Sequence, residues 1–74
     1  MTGLPITSGS QCIAALQRLG YQVVRTRGSH VRLVCPGRKS VTVPKHTELD
    51  RGTLRTILRI AEISVEKFNK LLKG

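Results

Sequence analysis

Tryptophan is absent from these 74 residues, and Tyr21 and Phe68 are the only aromatics. Reading single-stranded nucleic acid by base stacking takes several exposed rings, so sequence-specific recognition of that kind is excluded. Acid is scarce as well. Four Asp and Glu stand against 13 Lys and Arg, and the first carboxylate, Glu48, follows seven cations. The two cysteines, Cys12 and Cys35, are too few for a disulfide framework, and each falls where a free thiol serves as a small hydrophobe. Cys12, His30, Cys35 and His46 contain no short C-x-x-C or H-x-x-x-H pair, so no metal site and no cofactor is expected. No apolar run approaches the ~20 residues of a membrane span. The start, Met1-Thr2-Gly3-Leu4-Pro5, has neither the basic nor the apolar stretch of a secretory signal. A cytoplasmic protein without membrane or small-molecule partners is the expectation.

What is present is charge of one sign, a formal +9. A small domain so unbalanced repels itself unless it meets a polyanion or an acidic protein. The length allows one domain, residues 1–74, with a core so small that a docked partner would help it.

Local signals divide the chain into six elements. Ser8-Gly9-Ser10-Gln11 has the form of a capping box, and Cys12, Ile13, Leu16 and Leu19 recur at helical spacing up to Gly20, which permits a helix end. Tyr21 to Arg27 is strand-like in composition, but Val23 and Val24 fall on opposite faces and leave its orientation open. Gly28-Ser29 forms a turn. From His30 to Cys35 the residues alternate, with Val31 and Leu33 inward and His30 and Arg32 outward. After the turn Pro36-Gly37-Arg38-Lys39, Val41 and Val43 point inward and Ser40 and Thr42 outward, until Pro44. Asp50 caps a second helix with Leu54, Ile57, Leu58 and Ala61 inward, and Ser64 caps a short third one. The expected fold is α+β, α-β-β-β-α, with a three-stranded antiparallel sheet, helices on one face and a short extra C-terminal helix. The other sheet face stays open.

On that face the phasing gathers His30, Arg32, Ser40 and Thr42. An imidazole titrates near neutral pH and can carry a proton, while the cations Arg25, Arg27 and Arg32 around it can hold phosphate. RNA supplies its own nucleophile, the 2′-OH, so a positioned acid–base group and cations suffice for cleavage without a metal. His30 is therefore the candidate catalytic residue and Gly28 forms its turn. Arg25, Arg27, Ser29, Arg32, Arg38 and Lys39 are candidate RNA contacts, with Arg38 and Lys39 equally able to brace their turn. His46 is a candidate for a second proton transfer, a cap for the second helix, or a residue of a solvated loop. Arg51, Arg55 and Arg59 recur every four residues, which by default is a solvated helix face. A non-catalytic RNA-binding module of the same fold is the rival reading, and it would tolerate loss of His30.

Five strings in order resemble the HicA family of mRNA-cleaving toxins: Leu16-Gln17-Arg18-Leu19-Gly20-Tyr21, Arg25-Thr26-Arg27-Gly28-Ser29-His30-Val31, Val41-Thr42-Val43-Pro44, Gly52-Thr53-Leu54-Arg55-Thr56-Ile57-Leu58 and Ile63-Ser64-Val65-Glu66-Lys67-Phe68. The resemblance implies a double-stranded-RNA-binding-domain-like fold, endoribonuclease activity on mRNA with the family's histidine at His30, and neutralisation by a HicB-type antitoxin. The chain departs from the family's pattern at the short turn Cys35-Pro36-Gly37, in the short stretch from His46 to Leu49, and at Glu62, where a helix-ending glycine is common.

Overall fold

The structure, a computed structural model, describes residues 3–74; Met1 and Thr2, where the N-terminal stretch begins, lie outside the described residues. Its elements are α1 (Gly9–Leu19), β1 (Gln22–Arg27), β2 (His30–Cys35), β3 (Arg38–Pro44), α2 (Arg51–Ala61) and α3 (Val65–Lys73). The strands form one antiparallel sheet in the order β1-β2-β3. This is the expected α+β architecture, with α3 as the extra helix.

The helix ends follow from local chemistry. The Gln11 amide donates to Ser8 Oγ at 3.1 Å and the Ser8 amide to Gln11 Oε1 at 3.0 Å, closing the capping box of α1. Ser64 Oγ accepts from the Lys67 amide at 3.0 Å and starts α3. Asp50 begins α2 in extended backbone, but no bond from its carboxylate to a helix amide meets hydrogen-bond geometry. That carboxyl is nevertheless held below its usual range, first by the Thr53 hydroxyl and least by nearby His46. Glu62 ends α2 at φ 58°, the one non-glycine residue with positive φ among those described. An L side chain in that conformation costs roughly 1–2 kcal/mol, and its amide compensates by donating to the Arg59 carbonyl at 3.2 Å.

All helices lie on one sheet face. Leu16 from α1, Leu33, Val41 and Val43 from the sheet, Leu54 from α2 and Phe68 from α3 meet in one core. The core takes one residue that composition had assigned to a strand. Tyr21 precedes β1, is 2% exposed, and donates its hydroxyl to the Lys39 carbonyl at 2.8 Å. Gly9 sets how closely α1 approaches β3: a Cβ there would collide with the Pro44 carbonyl oxygen and Lys45 Cα. Its amide donates to the His46 carbonyl at 2.9 Å.

The helices cover β2 and β3 but not β1, every residue of which is exposed. The orientation of β1 is set by a bulge. Val23 pairs with Leu33 and Thr26 with Val31, so both face the helices; Arg25 pairs with Arg32 and Arg27 with His30, so both face away. In a regular strand Val23 and Arg25 would share a face. The register shift between them, with Val24 as the additional residue, turns both arginines onto the open face.

Candidate functional site

Gly28 and Ser29 form a two-residue hairpin loop between the paired residues Arg27 and His30. Gly28 has φ 61° and Ser29 does not have positive φ, which is the type II′ pattern that matches strand twist. A Cβ on Gly28 would meet nothing within 4 Å, so the requirement for glycine here is conformational. The Ser29 carbonyl accepts from the Lys45 amide at 2.6 Å, which ties the turn to the end of β3 and holds His30 at the start of β2.

His30 then lies in an open cleft of about 280 Å³ lined by Arg25, Arg27, His30, Arg32 and Thr42. The Arg32 guanidinium reaches across to β3, donating to Ser40 Oγ at 2.8 Å and Thr42 Oγ1 at 3.5 Å. Those hydroxyls fix the guanidinium and leave its other N–H groups free for an anion. Arg25 directly opposite Arg32 is a like-charge pair, which weakens an antiparallel sheet unless an anion sits between the guanidinium groups. The cleft therefore gathers three guanidinium groups able to bind phosphate together with one imidazole.

The remaining candidates are placed elsewhere. Arg38 has left the open face. A second register shift, between Leu33 and Cys35, pairs Arg38 with Cys35, and its guanidinium donates to the Ala61 carbonyl at 2.6 Å, capping the end of α2. Lys39 is exposed but does not line the cleft, and its carbonyl is taken by Tyr21. Ser29 contributes backbone to the turn and does not line the cleft either. His46 lies on the loop between β3 and α2, where its carbonyl accepts from the Gly9 amide, and is outside the lining around His30. Arg51, Arg55 and Arg59 form an exposed stripe on α2, which packs on the opposite side of the sheet.

Thr42 was missed as a site residue, although its outward parity on β3 was the signal that could have nominated it. Burial holds the Cys12 thiol up at about 12, so it takes no part in chemistry near neutral pH. Among the described residues no group of three or more His, Cys, Asp or Glu is gathered to hold a metal ion, and no helix is long and apolar enough to cross a membrane.

No curated protein matches the chain. Residues 9–63, which hold α1, the sheet with its cleft, and all of α2, match the family described as "HicA toxin of bacterial toxin-antitoxin". The chain belongs to the HicA toxin family.

Proposed function

We propose that residues 1–74 act as one cytoplasmic endoribonuclease unit, which cleaves mRNA without a metal and is neutralised by a HicB-type antitoxin. The observation that carries this reading is the convergence of Arg25, Arg27 and Arg32 on His30 at an uncovered sheet face. The arginines hold the phosphate. His30 takes the proton from the 2′-OH, the 2′-oxygen attacks phosphorus, and the 5′-oxygen leaves, giving a cyclic phosphate and a 5′-hydroxyl end. Arg32, braced by Ser40 and Thr42, stabilises the charge that develops on phosphorus. His46 does not line the cleft, so water supplies the leaving oxygen's proton, and a slow enzyme is expected. With both aromatics in the core, cleavage has weak base preference.

The test is cleavage of a long single-stranded RNA with EDTA present, comparing the parent chain with His30→Ala. The variant is expected to lose about 10²–10⁴-fold in rate while keeping its circular dichroism spectrum and RNA affinity. Equal cleavage by both places the activity elsewhere. If neither cuts and both bind, the chain is an RNA-binding module.

A further inference from the structure

Adjoining the cleft at Thr42, the outer edge of β3 and the flank of α2 form a second groove, of about 480 Å³. Thr53, Thr56, Ile57 and Ile60 line its helix side and Thr42 its strand side; Asp50 is the only charged residue among the described residues that line it. In a chain of net charge +9 this is a strip without cations, unsuited to a phosphate backbone.

The strand side has free hydrogen-bonding groups. The Lys45 amide donates to the Ser29 carbonyl, so these residues form a hydrogen-bonded pair. Alternation along the ladder makes Val31–Val43 and Leu33–Val41 hydrogen-bonded pairs as well. Thr42 therefore directs both its N–H and its C=O away from β2, while the Pro44 carbonyl, turned the same way, is covered by Gly9 of α1.

We infer that this groove takes an extended strand of an acidic protein partner, added to the sheet beside β3. The strand's chemistry follows from the pleat. The residue opposite Thr42 shares its face and lies next to the Arg32 guanidinium, which already contacts Thr42 Oγ1; an Asp or Glu there completes an ion pair. The residues on either side of it turn toward α2 and are apolar, packing on Thr53, Thr56, Ile57 and Ile60. A second copy of the chain fits badly, because each copy carries +9 and its β3 would bring Thr42, not an acid, to Thr42. The identity of the acidic protein as the antitoxin rests on the toxin–antitoxin reading. Strand addition at this edge draws on Arg32, so it would also disturb the catalytic cleft from outside it.

The test uses the full chain alone and in complex with its antitoxin. Amide exchange of Thr42, read by NMR, is expected to slow at least tenfold in the complex. Thr56→Arg fills the groove from an exposed helix position, where Thr56 bonds only the Gly52 carbonyl, at 3.0 Å. This variant is expected to keep its fold and its rate on RNA but bind the antitoxin at least tenfold more weakly, while Thr56→Ala binds like the parent. Unchanged Thr42 exchange, or parent-like binding by Thr56→Arg, overturns the inference. Thr42 protection that grows with concentration of the chain alone assigns the groove to a second copy and also overturns it. A parent that binds in this way but cuts no RNA removes the ribonuclease reading and leaves the docking site standing.

Discussion

Gly9 and Gly28 are held to glycine by different forces, and the two separate in experiment. At Gly9 the obstacle is backbone, the Pro44 carbonyl and Lys45 Cα, so Gly9→Ala must push α1 off the strand end. A loss of about 3 kcal/mol by denaturant unfolding is expected, a large part of the stability of so small a domain. At Gly28 there is room, and Gly28→Ala costs only the left-handed backbone, roughly 1–2 kcal/mol; its larger effect is expected on RNA cleavage, because the turn positions His30. Buried titratable groups give a pH signature. Cys12 is raised by burial from 9.0 to about 12; Tyr21 is raised by burial and by the neighbouring Cys35, against the opposing pull of Arg38. Both are neutral when folded, so their contribution is complete below pH 9. From there it declines as the unfolded chain ionises, for Cys12 by about 1.4 kcal/mol per pH unit up to about 12. Unfolding followed across that range should show the decline, and Cys12→Ala should flatten it.

Among the elements, the sheet turns its strands by bulges, and the two bulges between them redirect three arginines. The one in β1 brings Arg25 and Arg27 beside His30; the one between β2 and β3 sends Arg38 to the end of α2. Arg38→Ala is therefore a helix-capping variant. It is expected to lose about 1 kcal/mol in unfolding experiments, with no change in the salt dependence of RNA binding. As a cation in the turn Pro36-Gly37-Arg38-Lys39, Arg38 was a candidate RNA contact or a brace of that turn. The extra residue beside the turn instead sends it to the helix side of the sheet. The orientation of the segment from Tyr21 stayed open for a similar reason, since nothing in Val23-Val24 says which of the two the partner strand will skip.

For the whole molecule the governing quantity is a charge of +9 spread over separate surfaces: the sheet face, the α2 stripe and the ends of the helices. Only charges that meet phosphate release counterions, so the salt slope of binding to single-stranded RNA counts the working arginines. Arg25→Ala and Arg27→Ala are each expected to lower it by about 0.7. Equal effects from Arg55→Ala would show that RNA also runs along α2. The β3–α2 groove, with Asp50 as the one charged residue lining it, interrupts this basic surface and adjoins the cleft at Thr42.

The sequence by itself determined the element order, the helix caps at Ser8 and Ser64, the inward and outward residues of β2 and the prominence of His30, because each depends on neighbours within about four positions along the chain. Tertiary structure alone decided that Arg25 and Arg27 share a face with His30, that Arg38 and His46 do not reach the cleft, and that Gly9 must be bare. The physical reason is that strand pairing and helix docking set these positions. A bulge or a close backbone approach arises only when two distant segments meet, and neither segment alone records it.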